Sequence, residues 1–250
     1  MILAGGLGTR AKPFTLYSPK AMIPVNDRPI VDYIIRYVSK FAEVDEVIVA
    51  GNFMNGGGLQ IKHYFEGKES LIKAKLRFVQ DRIEGTAGGV LSAASFLHDD
   101  EDFFVWFSDN LCPLDLSDLL RYHRSKGGIG CVTVRRVKRE ETGFAEVTKD
   151  GRITRFDEKP AIRMEKAECL AMYVFNTDIL NYIEKAAKGK RSVNLSYDVL
   201  QKLPTSEKLF AYDVRNLPWL DVESPSKIER NLKHAQHIIT RMESYKARAR

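Results

Sequence analysis

Residues 3–25 read LAGGLGTRAKPFTLYSPKAMIPV, an apolar step into a glycine-rich loop followed by prolines at positions 13, 19 and 24. Gly6-Leu7-Gly8-Thr9-Arg10-Ala11 formally satisfies the dinucleotide fingerprint G-x-G-x-x-G/A, with Asp27 and Asp32 near where a ribose-binding acid sits. That device works only when a helix opens at once and aims its N-terminus at the pyrophosphate. Pro13, Pro19 and Pro24 forbid an uninterrupted helix before Pro29. No Gly-Lys-Ser/Thr is present, which removes a P-loop as well. What remains is a strand entering a loop whose successive N–H groups can form an anion-binding concavity, with Arg10 and Lys20 supplying positive charge. The combination suits a triphosphate; the competing reading is a plain glycine-rich turn with two solvated basic residues.

Outward from this loop, short apolar runs alternate with segments of helical period. Glu46–Ala50, Leu76–Gln80 and Phe103–Phe107 read as buried strands. Ile30, Val31, Ile34, Ile35 and Val38 recur at helical spacing after Pro29, and Val90, Ala93, Ala94 and Leu97 do so after Gly89. A strand-then-helix rhythm predicts a mainly parallel sheet covered on both faces. From about residue 129 the texture becomes strand-rich: Cys131–Val137, Phe144–Val147 and Ile153–Phe156, with Lys149-Asp150-Gly151 as a hairpin turn. A strand at Leu170–Phe175, helices from Asp178 to about Ala187 and near Tyr197–Leu203, and a strand at Leu209–Val214 follow. Pro225 to about Lys246 reads as one charged helix with proline in its first turn. The expected organisation is one body over 1–224, with parts meeting near 128/129, followed by a C-terminal helix and basic tail over 225–250.

Composition excludes other classes. The 250 residues are 44% hydrophobic and 29% charged, enough apolar material for a real core and too much for a disordered chain. The net charge is +6, but Arg241, Lys246, Arg248 and Arg250 against Glu243 place half of that excess in the last ten residues. No basic face interleaved with aromatics is left to bind nucleic acid. Cys112, Cys131 and Cys169 lack the paired spacings of a zinc site or disulfide framework, as expected in a reducing cytoplasm. The apolar run after Met1 is short, without a basic segment before it, and no stretch of about 18 apolar residues occurs, so no membrane span is expected. His234 and His237 stand i, i+3 on the charged C-terminal segment, a spacing compatible with metal and equally with a solvated face; His63, His98 and His123 stand alone.

GGLGTR-x2-P-x-T-x3-PKAMIPV is similar to the signature of the sugar-1-phosphate nucleotidyltransferases. The resemblance continues in order through VQDRIEGTAGG (79–89), FSDN (107–110), GFAEV (143–147), FDEKP (156–160), AMYVFN (171–176) and PWLDVESP (218–225), covering essentially the whole chain. It implies a three-layer α/β/α, Rossmann-like fold with a mainly parallel mixed sheet and a small β-rich sugar-binding part. The implied reaction joins an NTP and a sugar 1-phosphate, a hexose 1-phosphate such as glucose 1-phosphate being favoured, to give an NDP-sugar and pyrophosphate.

On its own position Asp109, just past the apolar run Phe103–Phe107, sits where open α/β sheets place their crevice. By resemblance Asp109 and Asp221 hold Mg²⁺, and Arg10 and Lys20 act on the phosphates. Leu3, Ala4, Gly5, Gly6, Gly8, Thr9, Arg10, Gln80, Gly85 and Thr86 form the nucleotide side, with Gln80 and Gly85 at the base. Gly143, Glu158, Lys159 and Tyr173 form the sugar-phosphate side. Taken singly, each Asp is as easily a turn or cap residue, and Glu158-Lys159 a solvated pair before Pro160. Ser108-Asp109 stands where the family usually has Gly-Asp, and Cys169-Leu170-Ala171-Met172-Tyr173 where it has an Asn-Ala-Gly-Ile-Tyr-like run. Lys12 before Pro13 is a further departure, and the brevity of the apolar segment before the glycines suggests that residues upstream of Met1 are missing. These departures leave the base and the sugar open. They also leave open a non-catalytic nucleotide-binding regulatory subunit and an enzyme for choline or inositol phosphate. The family is commonly oligomeric, so a homo-oligomer is compatible with the resemblance.

Overall fold

The computed structural model describes residues 1–6, 8–54, 57–97 and 101–246; Leu7, His98, Arg248 and Arg250, considered above, lie outside them. The chain passes from β1 (Ile2–Leu3) through 3-10 turns at Thr9–Ala11, Phe14–Leu16 and Lys20–Met22 to a small ribbon, β2 (Pro24–Val25) and β3 (Arg28–Pro29). The prolines thus break the segment into single turns. Then come α1 (Ile30–Val38), β4 (Glu46–Gly51), α2 (Gly57–Phe65), β5 (Lys75–Gln80), α3 (Thr86–Ser92), β6 (Asp102–Phe107), β7 (Asn110–Leu111), α4 (Leu116–Lys126) and β8 (Gly130–Arg139). The hairpin β9 (Gly143–Val147) and β10 (Ile153–Glu158) leads to β11 (Ala161–Asn176) and α5 (Ile179–Ala187). A π-helical turn at Leu195–Val199 precedes β12 (Leu209–Asp213), β13 (Leu220–Asp221), α6 (Pro225–Arg230) and α7 (Leu232–Ser244).

Seven strands form one sheet in the order β12-β8-β11-β6-β1-β4-β5. Only β11 runs against its neighbours; the other pairings are parallel. Alternation along the central strands divides the core between the two faces. Ile2, Val47, Val49 and Trp106 pack with α1, α4 and α7, while Leu3, Ile48, Ala50 and Val105 pack with α3 and α5. The result is the expected three-layer α/β/α arrangement. The sheet runs without a break across the 128/129 boundary, because β8, β11 and β12 complete it on one side. The β9–β10 hairpin stands apart as its own two-stranded sheet, turning through Gly151 at φ 87°.

From β1 the chain winds outward to β4 and β5, then returns across β1 to β6. The carboxyl ends of β1 and β6 are therefore the switch point of the sheet, where the diverging connections leave a crevice. This topology places Ala4 and Gly5, at the end of β1, beside Ser108 and Asp109.

Two local expectations are corrected. The C-terminal segment is two helices, because Asn231 leaves helical geometry at φ −112° and turns its side-chain amide onto the Lys227 carbonyl at 3.0 Å. Helix α3 opens at Thr86, straight after Gly85 at φ 89°, so that Thr86–Gly89 is its first turn. The strand expected at Leu170–Phe175 is the end of a longer strand that also flanks β8.

Strand β11 slips register between Cys169 and Tyr173, and Ala171 within the slip adopts φ 55°. An L side chain in the left-handed region costs about 1–2 kcal/mol, against about 0.4–1 kcal/mol for the extra unfolded-state freedom of glycine. Ala171→Gly is expected to raise stability by about 0.5–1 kcal/mol in urea unfolding; a loss of stability would show that the Ala171 methyl packs productively.

Candidate active site

The glycine-rich loop is tied down at its base and open above. Leu3 and Ala4 bury their side chains and are knitted to both neighbouring strands, Ala4 N–H donating to the Ala50 carbonyl at 2.8 Å and Ser108 N–H to the Leu3 carbonyl at 3.1 Å. Gly5, Gly6, Thr9 and Arg10 are exposed. Gly8 has φ 56°, and a Cβ there would meet Thr15 Cγ2 at 2.7 Å, so both its conformation and its surroundings require glycine.

Main-chain pairing brings the two aspartates together. β13 runs antiparallel to β7 with Asp221 opposite Asn110, and Val222 N–H donates to the Asp109 carbonyl at 2.7 Å. Lys20, with its side chain 12% exposed, places Nζ 2.5 Å from Asp109 Oδ2 and 3.9 Å from Asp221 Oδ1. Asp221 Oδ1 is buried and makes no hydrogen bond among the described residues. Burial and the neighbouring Asp109 charge push the Asp221 carboxyl up to about 6.

Two further residues, to which the motifs assign no role, border this pair. Asn110 is buried and donates from Nδ2 to Asp109 Oδ1 at 2.6 Å, while its own Oδ1 accepts from Trp219 Nε1 at 2.9 Å. Glu223 pairs with Arg10 Nη1 and, at 3.3 Å, with Lys227 Nζ. Its position two residues beyond Asp221 in an extended segment was the available signal.

The remaining expected residues fall into three groups. Gly85 sits where a Cβ would be 2.4 Å from the Val193 carbonyl oxygen, and Thr86 Oγ1 accepts from Leu195 N–H at 2.8 Å, so both join the base of α3 to the 193–195 segment. Gly143 lies opposite Glu158 across the hairpin, and a Cβ on it would be 3.0 Å from Glu158 Oε2. Lys159 follows at φ 49°, exposed and without an ion pair among the described residues. Gln80 and Tyr173 are engaged within the protein. The Gln80 Oε1 accepts from Phe53 and Met54 N–H at 2.7 and 2.9 Å, and Nε2 donates to the Asp81 carbonyl at 2.9 Å, so its amide holds the loop after β4. Tyr173 is a core residue, 4% exposed and stacked on Phe175 at 5.4 Å, so its ring fills the α3–α5 side of the sheet.

Outside the crevice, His234 Nε2 lies 3.1 Å from the Trp219 carbonyl oxygen and His123 Nε2 2.9 Å from Asp102 Oδ1. Among the described residues, no three His, Cys, Asp or Glu side chains converge as a metal cluster. Cys112, Cys131 and Cys169 are all free. No helix among the described residues is long and apolar enough to cross a membrane.

Residues 1–236 match the Nucleotidyl transferase family model, and the chain belongs to that family. A mannose-1-phosphate guanylyltransferase catalytic subunit beta of Dictyostelium discoideum is 29% identical over 228 residues, covering 90% of this chain and 61% of that protein. A UTP–glucose-1-phosphate uridylyltransferase of Synechocystis is 28% identical over 239 residues, covering 89% of this chain and 59% of that protein. The chain thus spans about three-fifths of the length of the curated relatives it matches. The solved structure of a UDP-glucose pyrophosphorylase complexed with UDP-glucose superposes with a TM-score of 0.67 at 18% identity, covering 96% of this chain and 97% of that one. It shares the fold.

Two carboxylates against one lysine make stability depend on pH. Because the Asp221 carboxyl titrates above its ordinary value of 3.8 in the fold, its ionisation weakens the folded state as pH rises through about 6. Lys20→Met removes the cation that offsets this. The expected loss is about 3 kcal/mol at pH 7.5, near the low end for breaking a buried pair, and clearly less at pH 4.5. Thermal unfolding at the two pH values checks the sign; a loss equal at both would disprove the electrostatic account of Lys20.

Proposed function

We propose that the chain is a sugar-1-phosphate nucleotidyltransferase working in a reducing cytoplasm, converting an NTP and a sugar 1-phosphate to an NDP-sugar and pyrophosphate. The observation that carries this reading is the convergence of Lys20, Asp109 and Asp221 at the switch point, beside an open glycine-rich loop. Family membership and the names of the relatives support it, and a hexose 1-phosphate is the favoured acceptor.

In this scheme the loop N–H groups and Arg10 bind the β- and γ-phosphates, Arg10 exchanging Glu223 for phosphate oxygen. Lys20 neutralises the α-phosphate and the departing pyrophosphate. Lys159 holds the incoming sugar phosphate, whose oxygen attacks the α-phosphorus in line with the leaving group, and Glu158 accepts from the sugar hydroxyls. One P–O bond forms as the α–β bridge breaks, so no protein nucleophile is needed. The developing charge lies on phosphoryl oxygens, and positioning with electrostatic stabilisation carries the catalysis.

The donor set fits Mg²⁺. Two adjacent carboxylates suit an ion held by one or two protein oxygens together with substrate phosphates, and the buried Asp221 Oδ1, which accepts no hydrogen bond among the described residues, is an acceptor able to join it. Asp109 and Asp221 would hold the ion. Bound there, it would supply charge neutralisation between the reacting phosphates.

Asp109→Asn is expected to lower pyrophosphate release by about 100-fold at saturating Mg²⁺, the order seen on removing one preorganised electrostatic contact. Turnover near that of the wild type would overturn the assignment.

A further inference from the structure

Asp81 is the first residue past β5, and its N–H donates to the Gly51 carbonyl at 2.9 Å, holding it at the carboxyl edge of the sheet. From there its side chain crosses Gly51 towards the glycine-rich loop. A Cβ on Gly5 would fall 1.9 Å from Asp81 Oδ2, and one on Gly89 would fall 3.4 Å from Oδ1. Glycine at position 5 therefore makes room for this carboxyl at the floor of the crevice.

Asp81 Oδ1 is buried without a hydrogen bond among the described residues, and burial alone pushes the carboxyl up to about 6. Acids elsewhere in this half of the chain are paired: Tyr33 O–H donates to Asp27 at 2.9 Å, and Arg28 and Arg36 hold Asp32 at 3.3 and 2.8 Å. The Gln80 amide is engaged by the 53–54 backbone. Asp81 is thus a carboxylate at the crevice floor whose Oδ1 accepts no hydrogen bond from the described residues, at a desolvation cost. A phosphate is repelled by such a group, whereas a neutral hydrogen-bond donor of the same nucleotide is not. The nucleoside end of an NTP offers paired donors in two places: the ribose 2′,3′-diol, and the adjacent N1–H and N2–H₂ of guanine. Uracil and thymine flank their single N–H with carbonyl oxygens.

We propose that Asp81 is a nucleoside-specificity residue, its carboxylate accepting hydrogen bonds from paired neutral donors of the bound nucleotide. This rests on the nucleotide reading of the crevice. Without ligand the carboxylate is a burden on the fold, so Asp81 opposes stability and favours binding.

The test uses the full chain with Asp81→Asn and Asp81→Ala. The ligand-free Tm at pH 7.5 is measured alongside calorimetric titration with GTP, UTP and their 2′-deoxy forms in Mg²⁺. The expected result is a raised Tm for Asp81→Asn together with nucleotide affinity weakened about 10- to 100-fold in Asp81→Ala, the range for hydrogen bonds to a charged group. A wild-type penalty for both deoxy forms, lost in the variants, supports the ribose diol as the source. Preference for GTP over UTP with indifference to the 2′ position, likewise lost, supports guanine. A lowered Tm with unchanged affinities would overturn the proposal and make Asp81 a structural residue. Wild-type protein that binds none of the four nucleotides would instead overturn the reading on which it rests.

Discussion

Everything at the crevice depends on holding two carboxylates side by side. Asp109 and Asp221 are distant in sequence and would repel one another, yet the β7–β13 ladder fixes their backbones and Lys20 lies against both. Asn110 completes the arrangement by orienting Asp109 while accepting from Trp219. The pair remains incompletely neutralised, as the raised Asp221 carboxyl records. A site with negative charge to spare beside mobile positive charge suits a substrate that arrives as a polyanion with a divalent cation.

Glycines set the geometry around that pair for distinct reasons. Gly8 supplies a left-handed turn beneath the loop, and Gly5 leaves the gap that the Asp81 carboxyl enters. Arg10 and Lys159 are exposed, one at the loop and the other beyond the hairpin, so the charges assigned to the two substrates are the accessible ones. By contrast, Lys20, Asp109 and Asp221 are largely covered, as groups assigned to the reacting phosphorus should be.

The β–α rhythm and the carboxyl-end position of Asp109 were legible because buried parallel strands write themselves as apolar runs, and because prolines at 13, 19 and 24 exclude the alternative phosphate device. Helix α2 was hidden by its glycine start: Gly58 has no helical propensity to offer, but a Cβ there would lie 2.2 Å from the Asn52 carbonyl oxygen. Helix α4 did carry signals, an Asp115 cap on Asp118 N–H and Gly127 at φ 59° past its end, with Leu116, Leu119, Leu120 and His123 on its buried face. Asn110, Asp81 and Glu223 escaped because their roles follow from which atoms they meet across the sheet edge, and residue type alone does not report that. Gln80 shows the same, since an amide suited to a base also holds a neighbouring loop.

The most direct measurement is pyrophosphate release by the wild-type protein across the four NTPs and a panel of sugar and alcohol 1-phosphates in Mg²⁺. The account expects release only when an NTP and a hexose 1-phosphate are both present, with the matching NDP-sugar formed in equal amount. Tight binding of nucleotide without release from any pair would contradict it and make the chain a sensor.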